Sequence, residues 1–159
     1  MKGSMGLNKQ FVIKGLGYAG LLPFLLAMYL LLSGNLLQAS DAVTVFLSYS
    51  TVILAFLGGT LWGRVLALQE SPFTGLLLVA SNLIALFAWA NLLLGVVSEQ
   101  AAVAGLAIGF VLVLLVECWF ARFLFAGINP DNRDSYLNLR ITLTSIVVLL
   151  HLLMFYLIS

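Results

Sequence analysis

The stretch VTVFLSYSTVILAFLGGTLWGR (residues 43–64) decides the architecture, because no charged side chain interrupts it before Arg64. An α-helix rises ~1.5 Å per residue, so a segment of this length matches the ~30 Å hydrocarbon core of a bilayer. Four further segments of the same kind surround it, and the spans fall at 12–34, 43–66, 73–97, 101–125 and 138–158. The sequence therefore predicts an all-α membrane protein with five transmembrane helices, organised as a single domain over residues 1–159.

Composition supports oil as the solvent. Hydrophobic residues make up 63% of the 159-residue chain and charged residues 8%. Soluble domains run nearer 45–50% and about 25%, and so few charges would not keep such a surface in water. The net charge of +1 gives no electrostatic case for nucleic acid. Cys118 is the only cysteine, which excludes an intramolecular disulfide and reads as a packing residue. The apolar stretch from Gly15 to Ser33 is longer than a signal-peptide core, and Leu37–Gln38–Ala39 is a poor cleavage site, so an uncleaved signal anchor is expected.

Local signals set the boundaries. Gly34–Asn35 is a helix-stop pair, Asp41 is placed to cap the second helix, and Ser71–Pro72 precedes the third. Ser98–Glu99–Gln100 turns the chain into the fourth helix, which gives way at Gly127–Ile128–Asn129–Pro130–Asp131. Short connections make consecutive helices antiparallel neighbours. No internal repeat is visible, which argues against an inverted-repeat transporter within one chain.

All seven basic residues (Lys2, Lys9, Lys14, Arg64, Arg122, Arg133 and Arg140) fall at one end of this arrangement, and the opposite turns carry only Asp41 and Glu99. The positive-inside rule then puts the N-terminus inside and the C-terminus outside. The short N-terminus lacks an Arg- and Ser-rich transit peptide, so a multi-pass protein of the inner, cytoplasmic membrane is expected.

Lipid gives helices no hydrophobic drive to associate, so small residues that admit close backbone approach are the expected contacts. Gly59 and Gly63 form a G-x-x-x-G pair in the second helix, Gly105 and Gly109 another in the fourth, and Ser81, Ala85 and Ala88 a weaker stripe in the third. Packing within the bundle is their expected use, ahead of a seam with a second copy or a partner membrane protein. Pro23 inside the first helix predicts a kink there.

Ionisable groups at membrane depth are costly and face protein or water. Glu117 lies near the inner boundary of the fourth helix, and Arg64, Arg122 and Arg140 fall at a similar level, with Trp62 and Trp119 alongside. Two uses compete for this cluster: a structural ion pair of Glu117 with Arg140 or Arg64, and a site for an anionic headgroup or substrate held by arginine forks. Deeper polar groups are Tyr49, Asn82 and His151. Asn82 is expected to join two helices, and His151 to share a hydrogen bond with another helix. A lone histidine excludes a multi-histidine metal site. H-E-x-x-H, G-x-S-x-G, P-loop and CxxC motifs are missing, so neither catalytic residues nor a cofactor are expected.

With the helices placed, three stretches resemble the DUF3429 family, which includes the mitochondrial transmembrane protein 69 group. LGYAGLLPF (Leu16 to Phe24) is similar to that family's opening. YSTVILAFLGGTLWG (Tyr49 to Gly63) resembles its most recognisable segment, Y-x-x-V-I-L-S-F-L-G-G-x-x-W-G, and RITLT (Arg140 to Thr144) its final-helix element. Members often carry histidine before the motif tryptophan, where this chain has Leu61. The resemblance implies a multi-span inner-membrane protein and supplies no activity, cofactor or catalytic residue.

The expected role is a non-enzymatic accessory or assembly factor that contacts lipid headgroups or partner helices at its inner face. A small oligomeric transporter is the first alternative, with an inward cavity lined by Tyr18, Tyr49, Trp62, Asn82, Glu117 and Arg140. An enzyme acting on a lipid or quinone is the second.

Overall fold

The structure is a computed structural model that describes residues 4–33 and 36–159, with side chains described for 10–33 and 41–159. Lys2, the Lys9 side chain and the Gly34–Asn35 stop lie outside what is described. Among the described residues seven helices follow in order: α1 (Ser4–Ala19), α2 (Leu22–Leu32), α3 (Leu36–Leu66), α4 (Thr74–Leu94), α5 (Glu99–Trp119), the single turn α6 (Ala121–Leu124) and α7 (Pro130–Leu157). Five of the described stretches are long and apolar enough to cross a membrane: Gln10–Leu32, Asp41–Leu66, Thr74–Leu94, Glu99–Trp119 and Pro130–Leu157.

Three span ends differ materially from the sequence expectation. The fourth span stops at Trp119, because Phe120 leaves helical geometry (φ −94°, ψ 15°) and one short turn follows before Gly127. Gly127 takes φ +79°, where a side chain would clash, so the turn requires glycine there. The fifth helix starts at Pro130 instead of 138, with the Asn129 side chain accepting from the Asp131 amide (3.0 Å). Its first polar turns are helical because cap and proline together start it early. Asp41 does not cap the second span: α3 already begins at Leu36, and Asp41 sits inside it, exposed. Ser98 does cap α5, accepting from the Ala101 amide (3.3 Å).

The first span is broken at Gly20–Leu21, and Pro23 is the second residue of α2. Proline lacks the N–H that would bond the carbonyl four residues earlier. At this break the Tyr49 hydroxyl donates to the Gly20 carbonyl (2.9 Å), a cross-helix bond at the disrupted turn.

Helix α3 is the centre of the bundle, packed on α2, α4 and α5, and α7 closes against α5, α2 and α1. The α3–α4 seam is tightest at Gly58, where an added Cβ would lie 2.8 Å from the Ser81 carbonyl oxygen. Ser81 and Ala88 are buried on the same seam. Gly105 and Gly109 likewise admit close neighbours, the Asn91 carboxamide and the Leu54 and Phe87 side chains. Gly59 and Gly63, however, have nothing within 4 Å of where a Cβ would stand and are exposed. Their expected bundle contact is not made, since Gly58, one residue earlier, points at α4.

Two apolar clusters fill the interior. The larger joins Phe24, Phe46, Leu54, Leu106, Phe110 and Met154, and the smaller joins Leu61, Val65, Leu77, Leu124 and Phe125 at the basic end. The outer face is apolar as well: Leu83, Leu86, Trp89 and Leu93 on α4, and Ile108, Leu112, Leu115 and Trp119 on α5, are all exposed. A helix hydrophobic on its outside as well as its inside has lipid for a solvent.

Candidate functional site

Glu117, near the end of α5, is fully buried. Helices α5 and α7 run antiparallel, so the first turns of α7 face the last turns of α5. From α7, the Nε of Arg140 donates to Glu117 Oε2 (2.8 Å), and one helical turn earlier the Tyr136 hydroxyl donates to Oε1 (3.3 Å). From the end of α3, Arg64 brings Nη1 to 3.7 Å from Oε1. Its guanidinium lies 4.4 Å from the Phe125 ring centroid and 4.9 Å from that of Tyr136, stacked on aromatic faces that favour a weakly hydrated cation.

One carboxylate thus serves two guanidinium groups, which leaves a surplus of one positive charge. Two buried donor nitrogens, Arg64 Nη1 and Arg140 Nη2, have no hydrogen-bond acceptor. Buried charged donors without acceptors are costly. The arrangement has room in its hydrogen bonding for an anion with several oxygens. Arg140 is nearly sealed, whereas the Arg64 side chain is 23% exposed and is the open side of the cluster.

Arg122 and Trp62 do not join the cluster. Arg122 is exposed on the turn α6, because the break at Phe120 rotates it away from Glu117, and Trp62 points outward from α3, half exposed. Tyr136 and Phe125 take the aromatic places that Trp62 and Trp119 were expected to fill. Helical spacing was the available signal for Tyr136, which stands four residues before Arg140.

The deeper polar residues separate into different roles. Asn82 is exposed, and its amide donates to the Leu78 carbonyl of its own helix (2.9 Å), so it does not join two helices. Asn91 is the buried asparagine of α4, set against Gly105 of α5. His151 is buried among the rings of Phe46, Phe110 and Phe24, with centroids 4.7, 5.4 and 5.8 Å away. Its hydrogen bond goes to its own helix, Nδ1 to the Val147 carbonyl (2.8 Å), and not to a neighbour. A carbonyl only accepts, so Nδ1 carries the proton in this arrangement. Of the six side chains expected to line an inward cavity, Glu117 and Arg140 meet and the others do not join them. Tyr49 is at the α2 break, Asn82 and Trp62 face outward, and phenylalanines fill the space beside His151.

Among the described residues no group of three or more His, Cys, Asp or Glu side chains is placed to hold a metal ion. A helical bundle with five membrane-length helices, apolar on its outer surface and ionic at one end, is a multi-pass membrane protein. The family model described as "Protein of unknown function (DUF3429)" matches residues 10–156, and the chain belongs to that family. No curated protein and no solved structure matches it.

Proposed function

We propose that this chain is a non-enzymatic accessory protein of the cytoplasmic membrane, and that its basic end, facing the cytoplasm, holds an anionic lipid headgroup at Arg64 and Arg140. The observation that carries this reading is the pair of acceptor-free guanidinium nitrogens around a single buried carboxylate. Glu117 holds Arg140 in place, and Arg64, partly open, presents its remaining donors to the bilayer surface, where lipid phosphates reside. A guanidinium fork matches phosphate oxygens two at a time, which a lysine would not do.

The test uses the full-length protein purified in neutral detergent and examined by native mass spectrometry with phosphatidylglycerol and phosphatidylcholine of equal chain length. Phosphatidylglycerol should be retained preferentially by the wild type. Loss of a charge-assisted contact of ~1.5 kcal/mol makes Arg64→Gln weaken that retention about tenfold. Equal retention of the two lipids by the wild type, or an unchanged preference in Arg64→Gln, overturns the reading.

A further inference from the structure

A second polar feature lies at the same end of the bundle, on the face of α7 turned away from Glu117. Helices α1 and α7 flank a groove of about 510 Å³ whose lining includes Lys14, Tyr18, Asp131, Asp134, Asn138 and Thr142. The α7 members recur at helical spacing, so they form one stripe along that helix. Lys14 and Tyr18, four apart on α1, form the facing stripe.

Contacts fix the relative levels of the two helices. The Gln10 amide donates to the Asn132 side-chain oxygen (2.9 Å). Further along, Gly17 stands against Leu139 and Leu143. The two helices therefore run side by side in the same direction, and Lys14, four residues past Gln10, is level with a point four residues past Asn132. At ~1.5 Å per residue, Asp134 and Asp131 lie roughly 3 Å and 8 Å nearer the helix start than Lys14 does. The two aspartates thus leave the α7 backbone nearer the helix start than Lys14 leaves α1, and both charge signs line one groove. Among the described residues Lys14 is within ion-pairing distance of no carboxylate; Asp134 instead meets its neighbour Arg133 (2.8 Å).

We propose that this groove binds the headgroup of an ethanolamine phospholipid. In such a lipid the phosphate is next to the glycerol and a two-carbon bridge carries the ammonium outward, which follows the order in which Lys14 and the two aspartates leave their helices. The phosphate faces Lys14 and Tyr18, and the ammonium donates its N–H groups to Asp131 and Asp134. Asn138 and Thr142 are exposed although they belong to the fifth span. The Thr142 hydroxyl donates to the Asn138 carbonyl (2.9 Å), but a polar carboxamide turned toward hydrocarbon is costly, and a headgroup and its ester oxygens supply polar neighbours to Asn138. The groove is separate from the guanidinium cluster and does not depend on the function proposed for it.

The experiment presents the full-length protein in detergent with an equimolar mixture of phosphatidylethanolamine, phosphatidylcholine and phosphatidylglycerol of matched chains, read by native mass spectrometry. The wild type should retain phosphatidylethanolamine about tenfold over phosphatidylcholine, the ratio for one lost charge-assisted hydrogen bond, because a methylated ammonium has no N–H to donate. Asp131→Asn with Asp134→Asn should erase that preference, and Lys14→Gln should lower retention of both lipids alike. All three positions are exposed, and an unchanged thermal transition in detergent verifies that each variant is folded. Arg64→Gln should leave the ethanolamine preference intact, which separates this site from the other. Water-soluble glycerophosphoethanolamine should fail to displace the lipid at equal concentration; if it competes equally, the ligand is a soluble phosphoethanolamine and the lipid assignment falls. Equal retention of ethanolamine and choline lipids by the wild type, or a preference that survives the double aspartate substitution, overturns the proposal.

Discussion

Replacing Glu117 by alanine tests the energetics of the ionic cluster most directly. The substitution strips two guanidinium groups of the carboxylate they share, but unequally. Arg140 sits at 2.8 Å with its side chain 10% exposed, and Arg64 at 3.7 Å with 23% exposed. Removing one partner of a buried pair costs about 3–5 kcal/mol, since the other charge stays buried and unpaired. Most of that falls on Arg140. Arg64 is longer-ranged, part-solvated and stacked on Phe125 and Tyr136, so Arg64→Ala should cost no more than about 1–2 kcal/mol. The joint substitution Glu117→Leu with Arg140→Leu removes both charges together and should recover most of the loss, to within ~2 kcal/mol of wild type. Reversible unfolding by SDS in mixed micelles, followed by near-ultraviolet circular dichroism, measures all four proteins. If Arg64→Ala costs as much as Glu117→Ala, or if the joint variant is no more stable than Glu117→Ala, the assignment of the cost to a sealed Glu117–Arg140 pair is wrong.

Three further outcomes are expected. Gly58→Ala should destabilise the bundle by about 1–3 kcal/mol, because its Cβ meets the Ser81 backbone and not a movable side-chain tip, while Gly59→Ala should change stability by under ~0.5 kcal/mol in the same titration. Tyr49→Phe removes the donor to the Gly20 carbonyl and should cost about 1–2 kcal/mol; hydrogen exchange should rise at the α1–α2 break, and unchanged protection there would refute the capping role. In a Cys118→Ser background, cysteines at Gln10 and Arg133 should react with an impermeant maleimide from the same side of a sealed vesicle and one at Ser98 from the opposite side. Labelling of Gln10 and Arg133 from opposite sides would contradict the helix order.

Much of the helix pattern was legible because hydrocarbon imposes a coarse rule: length and apolarity suffice to mark a span. Boundaries were less so. The early start of α7 depends on Asn129 capping a polar turn, and the early end of α5 on the geometry of Phe120, neither of which hydropathy registers. Gly105 and Gly109 stand close to side chains of neighbouring helices, whereas at Gly58–Gly59 it is Gly58 that faces α4, and spacing alone does not tell which of two adjacent glycines faces the neighbour. At the ionic cluster, depth arithmetic put Arg64, Glu117 and Arg140 at one level. It placed Arg122 there too, since level along the axis says nothing about direction around it. Asn82 was singled out for its depth alone, and rotation about the α4 axis leaves it exposed while Asn91, on the same helix, is buried.

The division of α7 into two polar faces argues that its early start matters to more than helix length. Had the helix begun at residue 138, Tyr136 would not stand one turn before Arg140 against Glu117, and Asp131 and Asp134 would not align with Asn138 and Thr142. The extra helical turns project the ionic face toward α5 and the amphoteric face toward α1 from a single rigid rod. Breaking the Asn129 cap should therefore disturb both faces together, and they would move independently only if this segment were not helical in the membrane. A substitution Asn129→Ala, costing about 1 kcal/mol at the cap, should raise hydrogen exchange over residues 131–136 and weaken the retention of both lipid classes in one protein. Loss of one preference with the other untouched would show that the start of α7 does not couple the two faces.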